Sequence, residues 1–159
     1  MSEWEHNEFE LARLHSVLLG DPDGEAAIGS YGKGRIFLDR VRILREAAEG
    51  YFRRSPDQPL EGKFELLAAA AEGFADRRNE VAHGYVLRMN SIEFFMHQIG
   101  RPASDVDLYA LIPPLHTIRW HKEGLPKYAY TSVELRALSE RLLRLFGHVH
   151  HYRMTLLGQ

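Results

Sequence analysis

Seven apolar residues towards the C-terminus, Leu135, Leu138, Leu142, Leu145, Val149, Tyr152 and Leu156, alternate steps of three and four without a slip. Only an α-helix of about six turns puts such a series on one face. Thr131-Ser132-Val133-Glu134, just before it, has the spacing of a capping box, so the helix should start there. A seam of this kind packs inside a monomer or against a second copy, and its period is the same in both cases.

Other apolar stripes share the helical period. Trp4, Leu11, Leu14 and Leu18 lead to Gly20, after a possible capping box at Ser2 and Glu5, and Asp21-Pro22-Asp23-Gly24 reads as a turn. Phe37, Val41, Leu44, Ala48 and Tyr51 predict a helix over about Arg35 to Phe52, broken by Ser55-Pro56-Asp57-Gln58-Pro59. The next helix should begin near Leu60, with Phe64, Leu67, Ala68, Ala71, Phe74 and Ala75 on its buried face. That face continues through Arg78, Val81 and Ala82 towards Gly84, so an arginine enters a stripe that had been apolar. Glycines 29, 32 and 34 mark a flexible stretch. It is not a phosphate loop, because Ser30 stands where the motif after Gly24 and Gly29 requires lysine.

Residues 85–130 have no clean period. Ile92, Phe95, Met96 and Ile99 suit a short helix, while Leu108 to Ile112 suit a strand ended by Pro113-Pro114, with Tyr85-Val86-Leu87 as its pairing partner. Gly124 and Pro126 mark a further loop. The expected fold class is all-α, a single-domain helical bundle with a small β element or irregular insertion around 85–130.

Composition narrows the function classes. The absence of cysteine removes disulfides, thiolate catalysis and cysteine-ligated zinc. No segment approaches the roughly 18 apolar residues of a membrane span. The acidic start Met1-Ser2-Glu3-Trp4-Glu5-His6 lacks the basic-then-apolar order of a secretory signal, so a cytoplasmic protein is expected. A formal net charge of -2 gives no overall basic field for nucleic acid. Seven basic residues between Lys33 and Arg54 stand against three acids, and they read as a solvated helix face ahead of a phosphate-facing strip.

One stretch concentrates reactive groups: Asp76-Arg77-Arg78-Asn79-Glu80-Val81-Ala82-His83-Gly84-Tyr85. A guanidinium offers a fork of donors matched to phosphate oxygens, and an imidazole moves protons near neutral pH. Asparagine can hold either, or a substrate hydroxyl. The set suits metal-free attack of a ribose 2′-hydroxyl on the adjacent phosphate, which favours RNA over DNA. On one helix Asn79 and His83 share a face, but Arg78 and His83 lie about 140° apart. Two copies about a two-fold axis would bring both into one cleft. The same residues also read as an ordinary helix end: an imidazole near the last carbonyls, a left-handed Gly84, and Arg78 paired with Asp76 or Glu80.

Arg78-Asn79-Glu80-Val81-Ala82-His83-Gly84 resembles the R-N-x-x-x-H signature of the HEPN superfamily, all-α domains found in many prokaryotic defence, toxin and stress proteins. Small stand-alone bacterial members of that kind are similar in a basic second helix, a stretch like Leu111-Ile112-Pro113-Pro114 and a tyrosine-rich entry like Tyr128-Ala129-Tyr130-Thr131-Ser132. The resemblance implies a helical homodimer with both motifs at its interface, acting as a metal-independent endoribonuclease without a cofactor. Arg78 and His83 would be the catalytic pair and Asn79 their support. Arg77 and Arg88 would reach phosphate, although solvated charge is the stronger reading of both. Many members bind or assemble without cutting RNA. The alternative is therefore a non-catalytic interaction module whose ligand is a nucleotide, an antitoxin or another protein partner, with no membrane role.

The remaining clusters point to packing and surface. His148, His150 and His151 lack a completing ligand nearby and read as a solvated patch, not a metal site. His116 and His121 flank Arg119-Trp120 in what reads as loop. Trp120 and Tyr128 can stack a base, with aromatic packing the simpler role.

Overall fold

A computed structural model of the chain describes residues 3–88, 109–114, 116 and 126–158. The protein is mostly helical with a small two-stranded antiparallel sheet. Its described elements are α1 (Glu3–Leu18), α2 (Glu25–Tyr31), α3 (Phe37–Arg54), α4 (Gln58–His83), β1 (Tyr85–Arg88), β2 (Tyr109–Ile112) and α5 (Ser132–Leu156). Two compact units form, one from Met1–Ala75 with Glu140–Gln159 and one from Asp76–Ser139. None of the described helices is long and apolar enough to cross a membrane.

The first unit holds the main core, where the predicted stripes meet. Leu11, Leu14 and Leu18 of α1, Val41, Leu44 and Ala48 of α3 and Phe64, Ala68 and Ala71 of α4 are all buried in it. Leu145, Val149 and Tyr152 of α5 join the same cluster, with Leu156 packed against it. The C-terminal seam is thus satisfied inside the chain over these turns. Tyr152 adds a hydrogen bond from its hydroxyl to the Leu60 carbonyl at 2.9 Å.

The stretch expected to be flexible contains α2. Only Gly29 lies within this helix, at a cost of about 1 kcal/mol relative to alanine. Burial of Ala27 and Tyr31, four residues apart, offsets that cost. The buried His15 ring fixes the helix further through a 3.1 Å hydrogen bond from Nδ1 to the Ala27 carbonyl. The preceding turn is where the sequence places it, with Gly20 in the left-handed region at φ +80. The helix expected over residues 92–99, and Ser2, Trp120, His121 and Gly124, fall outside the described residues.

Much of the basic run of α3 is engaged by acids and carbonyls of the same unit. Arg40 meets Glu8 at 2.9 Å, and Arg45 reaches Glu72 at 2.5 Å and Glu65 at 3.1 Å. Arg53 pairs with Glu49 at 2.5 Å, and Arg54 donates to the Leu18 carbonyl at 3.3 Å. Bonding to Arg45 holds the Glu72 carboxyl below its usual range. Four of the seven basic groups are occupied in this way, which leaves little of a phosphate strip.

A buried ion pair lies in the same unit and has no periodic signal in the sequence. Glu10 and Arg153 are 2% and 3% exposed, with Arg153 Nε donating to Glu10 Oε1 at 2.6 Å. His150, the middle member of the histidine cluster, approaches the same oxygen at 3.0 Å through Nδ1. Among the described residues no group of three or more metal-ligand types assembles.

In the second unit, β1 and β2 pair antiparallel with Tyr85 opposite Ile112 and Arg88 opposite Tyr109. This is the pairing that the alternating segments predict. Leu111 also exchanges two 2.9 Å backbone hydrogen bonds with Tyr130. Leu111, Tyr128 and Tyr130 form a small core, with Leu135 against it. The capping box forms: the Glu134 carboxylate accepts from the Thr131 amide at 2.9 Å, and the Glu134 amide donates to Thr131 Oγ1 at 3.4 Å.

Two outcomes follow from the buried polar groups. Arg153→Met should destabilise the protein by roughly 3–5 kcal/mol in urea denaturation, because it strands Glu10, and adding Glu10→Leu should recover most of the loss. Burial lowers the pKa of His15 from its ordinary 6.5, so neutral His15 is favoured in the fold. Its contribution to stability is therefore present above the unfolded value and lost as pH falls through the folded one. The drop in unfolding free energy between neutral and mildly acidic pH should be smaller in His15→Gln than in wild type.

Candidate functional site

The last two turns of α4 hold the candidate residues. The buried stripe ends at Ala75, and its continuation through Arg78, Val81 and Ala82 is exposed. The expectation of an arginine entering the core is overturned. Contacts in these turns come instead from Arg77, Glu80 and Gly84, which share a different face.

Glu80 is gripped twice. Tyr128 donates its hydroxyl to the Glu80 main-chain carbonyl at 3.2 Å, and the Tyr130 hydroxyl donates to the Glu80 carboxylate. Burial, reinforced by the bond to Glu80, raises the Tyr130 pKa and keeps that hydroxyl protonated as a donor. Arg77 completes the cluster, donating to Tyr130 Oη at 2.7 Å and lying 3.9 Å from Glu80. Its guanidinium also sits 6.0 Å from the centre of the Tyr130 ring. Arg77 is thus engaged inside the unit, although its side chain is largely exposed. Tyr128 is buried beside Tyr130, with ring centres 5.5 Å apart, so its role is packing and hydrogen bonding, not base stacking.

Gly84 is not left-handed. Among the described residues the glycines with positive φ are Gly20 and Gly158. Glycine is needed at this position for close approach. A Cβ there would stand 2.6 Å from Leu111 Cγ and 2.8 Å from the Glu80 carbonyl oxygen. The chain can therefore leave α4 and enter β1 directly beneath Leu111.

With that face occupied, Arg78 and His83 are exposed and Asn79 is half-buried. Arg78 pairs with neither Asp76 nor Glu80. It donates to Asn79 Oδ1 at 3.1 Å, and no carboxylate among the described residues lies within ion-pair range. His83 is the last residue of α4. Arg88 is exposed at the end of β1, without an ion pair among the described residues. The structure brings Arg78 and Asn79 together, and helical geometry puts Asn79 on the face of His83. One helix does not join Arg78 to His83, which lie about 140° apart around the axis.

Chemically, an exposed guanidinium, an amide and an imidazole at a helix end can bind an anionic group and exchange a proton with it. The clasp of Glu80, Tyr128 and Tyr130 was not assigned from sequence. Its one signal is the alternation of Tyr128 and Tyr130 ahead of the last helix, which puts both on one side of an extended segment.

No family model, curated protein or solved structure matches the chain, so its own residues carry the functional reading.

Gly84→Ala should lower stability by about 1–3 kcal/mol through overpacking, because the Glu80 carbonyl is part of the helix and cannot move aside as a side-chain end would. A melting-temperature comparison with Gly73→Ala, a position with open space around it, checks the assignment. The second substitution should be neutral or stabilising.

Proposed function

We propose that this protein is a HEPN-like, metal-independent endoribonuclease of the cytoplasm that works as a homodimer. The observation that carries this reading is the exposure of Arg78 and His83, with Asn79 between them, on helical turns where no carboxylate among the described residues pairs with Arg78. The His83 imidazole takes the proton from a ribose 2′-hydroxyl. The 2′-oxygen then attacks the adjacent phosphorus, and the bond to the 5′-oxygen breaks. Arg78 stabilises the charge that grows on the phosphoryl oxygens, and Asn79 holds the guanidinium. The proton returns to the leaving 5′-oxygen, so the products are a 2′,3′-cyclic phosphate and a 5′-hydroxyl. Because Arg78 and His83 diverge on one helix, the site is composite, with a second subunit supplying the opposing residue. The lack of cysteine accords with a reducing compartment.

A second reading has its own support. Val81, between Arg78 and His83, is 37% exposed, and Val86 just beyond is 59% exposed. Apolar surface around the motif suits a non-catalytic module that binds an antitoxin or another protein partner.

Cleavage of a mixed-sequence RNA in the presence of chelator separates the two. Wild type should cut and leave cyclic phosphate ends, while RNA with a 2′-deoxy sugar at the cut position should survive. His83→Ala and Arg78→Ala should each reduce the rate by about 10²-fold or more. Wild-type rates in His83→Ala would remove the catalytic assignment, and an inert wild type that captures a protein partner would favour the module. Light scattering should give twice the chain mass, and a strict monomer would rule out the composite site.

A further inference from the structure

The sheet that follows His83 displays an exposed tyrosine next to a cation, Arg88, that has no ion pair among the described residues. Arg88 and Tyr109 are directly opposite each other in the antiparallel register, so their side chains share one face. Val86, two residues before Arg88, lies on that face as well. Tyr109 and Val86 are 54% and 59% exposed. Leu111, opposite Val86 and so on the same face, is buried against Tyr128 and Tyr130 and bounds the exposed part of the face. Among the described acids of the unit, Glu80 is bonded to Tyr128 and Tyr130.

We infer that this face is a binding platform for one unpaired nucleotide of single-stranded RNA, with the base stacked on Tyr109 and its phosphate on Arg88. The inference rests on the ribonuclease reading and adds a substrate class, because a duplex keeps its base faces covered. An aromatic ring beside a guanidinium is the pair that single-strand binding uses, stacking for the base and charge for the backbone. Charge complementarity favours an anionic strand over a second copy of the chain, whose face would set Arg88 against another Arg88.

The test uses the full-length His83→Ala protein, to prevent cleavage, and labelled RNA of about 12 nucleotides, unstructured or as a duplex. The unstructured strand should bind more tightly than the duplex. Adding Tyr109→Ala should weaken single-strand binding roughly tenfold, whereas Tyr109→Phe should retain it. Arg88→Ala should weaken binding and lower its salt dependence by about one phosphate contact. Circular dichroism of each variant checks folding, and Tyr109→Phe keeps the ring if Tyr109→Ala unfolds. Equal affinity in Tyr109→Ala, or no preference over duplex, would overturn the platform, as would loss of self-association in Tyr109→Ala without loss of RNA affinity. The wild-type cleavage assay separates the two proposals. Cutting with an unchanged KM in Tyr109→Ala removes the platform alone. Tyr109-dependent binding without cutting removes the ribonuclease alone.

Discussion

The grip of two tyrosines on Glu80 organises the second unit. The Tyr128 and Tyr130 hydroxyls take both the main chain and the side chain of one residue in the last turns of α4. A helix end held from one side leaves its other side to solvent, and there Arg78 and His83 are exposed. The same grip sets the exit of the chain. Gly84 lies against the Glu80 carbonyl and Leu111, and Leu111 is bridged to Tyr130. Helix end, strand pairing and tyrosine segment form one closed set of contacts, so none of them can shift alone.

Adjacent arginines have different roles for the same reason. Arg77 points to the tyrosine cluster, gains Tyr130 and Glu80, and becomes part of the framework. Arg78, one residue on, turns about 100° away and among the described residues bonds to the Asn79 amide. A guanidinium cannot lose its charge near neutral pH, so the exposed one keeps its full attraction for anions. Engagement in the framework and exposure to solvent are thus divided between neighbours by helical rotation.

In the first unit apolar burial accounts for most of the packing, with a buried polar group at its margin. Glu10, Arg153 and His150 meet around one carboxylate oxygen. Desolvating such a pair costs about as much as its attraction returns, so the pair adds little net stability although losing one partner is costly. Asn7 acts in a similar way, donating to the Leu142 carbonyl at 2.9 Å and so fixing α1 on α5.

Much of the fold was legible in the chain before any contact was known. The stripes of α1, α3, α4 and α5, the Thr131–Glu134 cap and the pairing of Tyr85–Leu87 with the segment before Pro113 all come from spacings of a few residues. Local geometry alone fixes such spacings, whatever lies opposite. The sequence also singled out Arg78, Asn79 and His83 as a chemical set. Tertiary contacts alone decided where the α4 stripe stops, which arginine is engaged, why residue 84 is glycine and how Arg40 and Arg45 of α3 are paired. They also turned a stretch expected to be flexible into α2. Each of these depends on a partner distant in sequence, such as Tyr130 for Arg77, Leu111 for Gly84 or Glu72 for Arg45. A periodic pattern says that a face will be covered but holds no record of which residue will cover it.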